Sequence, residues 1–211
     1  MAKRQNKEKK EIVYAPIVSQ PITETIEKNY MPYVMSVIIS RAIPEIDGLK
    51  PSHRKLLYTM YKMGLLTGAR TKSANIVGQT MRLNPHGDAS IYETMVRLTR
   101  GNATLLHPLV DSKGSFGKQY SSEMKYSAAR YTECKLDSIC QELFSGIDKN
   151  AVDMVDNYDA TLKEPVLLPT TFPNILVMPN MGIAVGMASN ICSFNLAEVC
   201  DGTIALLRKP N

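Results

Sequence analysis

The run Ala128-Ala-Arg-Tyr-Thr-Glu133 brings a phenol, a guanidinium and a carboxylate into consecutive positions. Thr132 reads as the cap of a helix from about 132 to 144, with Leu136, Ile139, Cys140 and Leu143 on its inner side. Tyr131 would then stand just ahead of a helix amino terminus, where unpaired N–H groups and the dipole attract a phosphate. Arg130 adds a planar cation able to hold two phosphate oxygens. A phenol with pKa about 10 is a poor nucleophile at neutral pH. Neighbouring positive charge favours the phenolate and neutralises a pentavalent phosphorus transition state. Spacing alone, however, favours a plainer arrangement, a buried tyrosine beside a surface arginine.

Other chemistries find little footing. The chain has no Walker lysine–glycine loop, no Gly-x-Ser-x-Gly elbow, no His-Glu-x-x-His and no Asp-x-Asp pair for magnesium. Cys134, Cys140, Cys192 and Cys200 form no CxxC, and only three histidines accompany them, so reduced thiols are expected rather than a zinc site. No apolar run approaches the roughly 20 residues of a membrane span. The start, MAKRQNKEKKE, lacks an apolar segment behind its charges. These features predict a cytoplasmic protein without membrane contact and without a metal of its own.

The 211 residues carry a net charge of +5 and 44% hydrophobic residues, the composition of a folded chain of one large domain or slightly more. Lys3, Arg4, Lys7, Lys9 and Lys10, opposed by Glu8, account for most of the excess, so the bulk charge is mainly a tail effect. Beyond the tail, charge is segregated. Arg41, Lys50, Arg54, Lys55, Lys62, Arg70 and Lys72 crowd one stretch, and residues 148–164 are acidic. A basic field inside a near-neutral fold suits a phosphate-lined partner.

Helical spacing of Ile22, Ile26, Tyr30, Tyr33, Val34, Val37 and Ile38 predicts a first helix, with a start or kink at Pro32 and an end at Pro44. Pro51 opens a second, with Leu56, Leu57, Met60 and Tyr61 inward and Arg54, Lys55 and Lys62 in water. Ser73 is expected to cap a third. Asp88 or Ser90 caps a fourth, with Ser90 and Glu93 at capping-box spacing. The stretch Asp111–Gly117 suggests a hairpin, and helices followed by a hairpin make a winged helix-turn-helix. Strands are predicted at 166–168, 175–178 and 183–187. A last helix begins near Asn195 and finds nothing to pack against, as if the chain were cut inside a domain.

Several motifs occur together and in order: Tyr33-Val-Met-Ser-Val-Ile-Ile-Ser-Arg-Ala-Ile-Pro44, Asp47-Gly-Leu-Lys-Pro-Ser-His-Arg-Lys-Leu-Leu-Tyr58, Pro85-His-Gly-Asp88, Gly114-Ser-Phe-Gly117, Ala129-Arg-Tyr-Thr-Glu133, Pro173-Asn-Ile-Leu176 and Gly182-Ile-Ala-Val-Gly-Met-Ala-Ser-Asn190. Across residues 21 to 211 the chain resembles the A subunit of type IIA DNA topoisomerases, the family of DNA gyrase and topoisomerase IV. The resemblance implies an α+β fold, a basic tail and arm over 1–28, a winged-helix breakage-reunion domain over 29–165 and the beginning of an α/β tower over 166–211.

It also implies roles. Tyr131 matches the tyrosine that becomes linked to a DNA 5′ phosphate, and Arg130 the arginine that steadies that phosphate. Arg41 matches an arginine reaching the same phosphate, and His86 a histidine beside the cleavage site. Lys50, His53 and Arg54 match a basic run along the DNA. Ile183 matches an apolar wedge that unstacks one base step and bends the duplex. Without the family, Ile183 would read as core, His86 as a turn residue and Arg41 as a helix cap. Ala89 and Glu93 match positions where quinolone drugs are anchored through a water-coordinated magnesium. The family commonly has a hydroxyl residue at the place of Ala89, and Asn84 stands where it often has a histidine.

The implied activity is an ATP-dependent type II topoisomerase, cutting and resealing double-stranded DNA. Mg2+ and ATP are expected on a partner B subunit, with this protein in a homodimer within an A2B2 heterotetramer. The competing expectation is a winged-helix DNA-binding protein without catalysis, and a third is a fragment inactive by itself.

Overall fold

The computed structural model describes residues 15–102, 106–118, 120 and 123–209, so the basic tail lies outside the described residues. Helix α1 (Ile22–Val37) carries Pro32 within it and runs into a π-helical turn, Ile38–Ala42. The apolar stripe predicted for α1 exists, but no residue of the helix is buried, and Ile22, Ile26, Tyr30 and Tyr33 are exposed.

After the turn at Asp47–Lys50 comes α2 (Pro51–Lys62), started by Pro51, whose fixed φ suits a first turn. Leu56, Leu57 and Met60 are wholly buried and form the middle of the core. A short strand, β1 (Thr71–Lys72), precedes α3 (Ser73–Thr80), and α4 (Asp88–Arg97) follows; α2, α3 and α4 pack on one another through Ile76, Ile91 and Met95. Ser73 is not a cap. It is the first residue of α3, fully buried, with its hydroxyl turned to Thr132. The Ser90–Glu93 box does not form either: Gly87 is the cap position, and the Ser90 hydroxyl donates to the Gly87 carbonyl.

Strands β2 (Val110–Lys113) and β3 (Glu133–Leu136) complete a three-stranded antiparallel sheet in the order β1-β3-β2. In its register Cys134 faces Thr71 and Ser112, while Glu133 faces Lys72 and Lys113. Thus the hairpin expected inside 111–117 has its second arm much further on. The connection folds back on itself at Gly117, whose φ is +72° and where a Cβ would lie 2.8 Å from the Met124 carbonyl.

The helix expected over 132–144 is the main correction. Residues 133–136 are a strand, with Cys134 and Leu136 inward and Glu133 and Lys135 less buried, a period of two. A turn at Asp137 follows, and only α5 (Cys140–Phe144) is helical. The spacing of Leu136, Ile139 and Leu143 straddles the two elements and imitates one helix. Burial pushes the Cys134 thiol up to about 11 and the Cys140 thiol up to about 12, so both behave as core side chains.

Strands β4 (Met154–Asp156) and β5 (Lys163–Pro165) pair antiparallel. The strand expected at 166–168 is displaced, since pairing ends at Pro165. Residues 175–178 are instead mostly α6 (Asn174–Val177), set off by Pro173. The last expected strand, 183–187, is instead mostly a turn: β6 (Asn180–Ile183) and β7 (Ala188–Ile191) lie on either side of it as two arms of a hairpin turning at Gly186. Helix α7 (Leu196–Arg208) is capped by the Asn195 side chain, and none of its residues is buried. The result is a mixed α and β fold whose core runs from Leu49 to Met178. Among the described residues no helix is long and apolar enough to cross a membrane.

Candidate functional site

Tyr131 occupies the turn that enters β3, and its side chain is 66% exposed. Because a strand follows, no helix amino terminus lies at Thr132, and the dipole contribution expected from the sequence is absent. What remains beside the phenol is Arg130, whose guanidinium carbon lies 4.7 Å from the ring centroid, a cation–π contact. Glu133, next along, is engaged by Lys72 at 2.9 Å and Lys113 at 3.7 Å.

The turn is exposed outside and fastened inside. Ser73 N–H donates to the Thr132 carbonyl (3.0 Å), and Ala74 N–H to that of Ala129 (3.1 Å). Thr132 is fully buried, its Oγ1 donating to Ser73 Oγ at 2.8 Å and lying 2.9 Å from Tyr92 Oη. Tyr92 Oη also donates to the Ser127 carbonyl at 2.8 Å.

The other candidates divide between two clefts. Arg41, exposed on the π-helical turn, shares one with His86, Ser90 and Lys55. His86 is held by its own N–H donating to the carbonyl of the buried Asn84 (2.8 Å). Lys55 closes the floor, bonded to the Leu83 carbonyl and paired with Glu164 at 3.1 Å.

Lys50 and His53 line the second cleft with Arg97 and the Asn180–Met181 backbone. Lys50 Nζ donates to the Met181 carbonyl (2.8 Å). Burial, with help from Arg97, lowers the Lys50 pKa. His53 keeps an unpartnered, buried Nδ1. Burial first, then Lys50, Arg97 and Arg54, push its pKa down to about 4, so it is neutral at pH 7.

Arg54 borders the first cleft but does not offer its charge there. Expected in water along a DNA backbone, it is buried: Nε donates to Asp47 Oδ2 (2.7 Å), and Nη2 to Asp47 Oδ1 (2.8 Å) and the Leu49 carbonyl. Asp47 in turn accepts from Leu49 N–H and Leu168 N–H. A guanidinium so engaged holds the fold together.

Ile183 ends β6 and is 82% exposed, so it is not a core residue. Its neighbour Gly182 is pressed against the π-helical turn: a Cβ there would lie 1.9 Å from the Ala42 carbonyl. Ala89 and Glu93 are exposed along α4, and Glu93 Oε1 accepts from Tyr126 Oη at 3.1 Å. Arg97, four residues further, continues that face into the second cleft; the spacing 89–93–97 is the sequence signal for it. Tyr92, Thr132 and Ser73 carry no comparable signal, since they meet only through the fold. Among the described residues no three of His, Cys, Asp and Glu converge as metal ligands. With Glu133 tied to two lysines, the described residues do not fit a magnesium site by themselves.

The family model for the A subunit of DNA gyrase/topoisomerase IV matches residues 41–211. This chain belongs to that family. All ten candidate residues fall within the match, Arg41 being the first position it covers. Among curated relatives, the DNA gyrase A subunit of Metamycoplasma arthritidis is 46% identical over 90% of this chain and 21% of its own length. That of Thermotoga maritima is 43% identical over 92% of this chain and 24% of its own. That of Borreliella burgdorferi is 42% identical over 100% of this chain and 25% of its own. The chain thus spans between a fifth and a quarter of the length of these gyrase subunits.

Proposed function

We propose that the chain is part of the A subunit of a type II DNA topoisomerase, a gyrase or a topoisomerase IV, and that Tyr131 is its nucleophile. Tyr131 Oη attacks a backbone phosphorus in line, its proton passes to solvent, and the deoxyribose 3′ oxygen leaves and takes up a proton from solvent to become a hydroxyl. The strand ends as a 5′-phosphotyrosine, and reversal by the 3′ hydroxyl reseals it without ATP. The observation that carries this reading is an exposed phenol on a fastened turn with a guanidinium against its ring. Family membership supports it.

Arg130 stabilises the charge developing on the phosphoryl oxygens. Arg41 and His86, in their shared cleft, contact the same DNA strand, and Lys50 takes a neighbouring phosphate. Ile183 intercalates and bends the duplex. The order helix–strand–helix–helix–strand–strand from α2 to β3 supports a winged-helix reading of this region, with the segment after 165 opening a tower. Most of these contacts are to phosphate and DNA shape, so little base specificity is expected. Magnesium and ATP are assigned to a partner B subunit, in an A2B2 assembly acting on double-stranded DNA in the cytoplasm. Ala89 and Glu93 form the quinolone-facing side of α4.

The test uses the full-length A subunit with its B subunit, magnesium and supercoiled DNA, quenched with detergent. Wild type should leave DNA covalently bound to protein, while Tyr131→Phe should retain DNA affinity and give no adduct. An adduct from Tyr131→Phe would refute the assignment, leaving a DNA-gripping winged-helix module.

A further inference from the structure

Tyr92 reaches from α4 to both ends of the turn that carries Arg130 and Tyr131. Its hydroxyl donates to the Ser127 carbonyl at 2.8 Å and lies 2.9 Å from Thr132 Oγ1, which donates to Ser73 Oγ at 2.8 Å. These hydroxyls come from α4, the turn and the start of α3, and all three residues are buried. A buried hydroxyl adds nothing to packing that Phe, Val or Ala would not supply, and it costs stability unless it is partnered. What these three supply is geometry. Thr132 precedes the strand and cannot turn outward while its hydroxyl and its carbonyl are both bonded to Ser73 and the Tyr92 hydroxyl lies against it. Tyr131 is the residue immediately before it. The neighbouring Tyr126 ring packs edge-on against Tyr92 at 5.4 Å and keeps it from swinging.

We infer that Tyr92, Thr132 and Ser73 are positioning residues for the Tyr131 phenol, fixing the turn so that Oη meets phosphorus in line. This rests on Tyr131 being the nucleophile. Being buried, none of the three touches DNA. They act by reducing the range of attack geometries, and a displacement of about 1 Å at a reacting atom can cost on the order of 100-fold in rate.

The experiment follows the approach to cleavage equilibrium in the full-length A subunit with its B subunit, on saturating DNA. It compares wild type, Tyr92→Phe, Thr132→Val and Thr132→Ser, with DNA affinity and thermal melting recorded for each. Tyr92→Phe and Thr132→Val should reach equilibrium about 10- to 100-fold more slowly, because cleavage and resealing share one transition state. The final adduct fraction and DNA affinity should be unchanged, and Thr132→Ser should stay near wild type. A merely structural role would instead lower the final fraction with the melting temperature and leave the rate of the surviving molecules alone. That result, or wild-type rates in both hydroxyl deletions, overturns the inference. If Tyr92→Phe fails to fold, Thr132→Val, close to isosteric, decides it. Absence of adduct from wild type overturns the assignment of Tyr131 and this inference with it, whereas a normal wild-type adduct with unslowed variants overturns only the positioning role.

Discussion

Arg54 and Lys55 are adjacent cations in the sequence, the first buried against Asp47 and the second part-exposed at a cleft floor against Glu164. Seven residues before Arg54 lies Asp47, and the Gly48 turn brings the carboxylate back onto the guanidinium in a two-point contact. Gly48 has a φ of +76°, and a Cβ there would come within 2.7 Å of Ile175 N, so glycine alone permits the return. Arg54→Ala should lower unfolding free energy by roughly 3–5 kcal/mol, because it leaves the buried Asp47 carboxyl with one partner fewer. Urea denaturation measures this, and a loss below about 1 kcal/mol would place the pair among weak surface bridges. Tyr131, Arg130 and Ile183 stand out in the sequence only through the motifs that resemble the topoisomerase family, and all three are exposed. The burial of Arg54 is not legible, because a basic run displays charge without displaying what faces it.

Among elements, the β6–β7 hairpin and the π-helical turn are fitted together at one point, Gly182 against the Ala42 carbonyl. The same contact sets Ile183 relative to Arg41, one residue away on either side. Gly182→Ala should push the hairpin away, lowering stability by about 1–3 kcal/mol and reducing DNA bending measured by energy transfer between end labels. Unchanged bending would show that the proposed role of Ile183 does not depend on this seat. The helices α2, α3, α4 and α7 are legible because each has a clear apolar stripe or an end signal. The stretch 132–144 is not, because a strand with period two followed by one helical turn places Leu136, Ile139 and Leu143 at helical intervals. Similarly, α6 is too short to show a helical period, and its Ile175 and Val177 resemble strand residues.

At the scale of the whole molecule, stability should depend on pH through His53. Its pKa is about 4 in the fold against an ordinary 6.5. Between those values the unfolded chain takes up a proton that the folded chain refuses, so stability is full above about pH 6.5 and falls as pH drops toward 4. Melting temperatures taken across this window should decline in wild type and decline less in His53→Gln; equal slopes would remove His53 as the cause. The sequence shows a basic stretch without showing that Arg41 and Lys55 line one cleft and Lys50 another, with Tyr131 in neither. That division depends on which distant segments close each wall, and no local spacing encodes it.

Those distant walls also impose an order in time. Asp47 meets Arg54 soon after both are synthesised, yet its bond to Leu168 N–H and the anchoring of Lys50 on Met181 join positions 121 and 131 apart. Contacts of such separation close late, after nearer ones have formed. A growing chain therefore displays its basic stretch long before either cleft exists. The wall that Lys50 leans on is finished only when the final hairpin has emerged and docked.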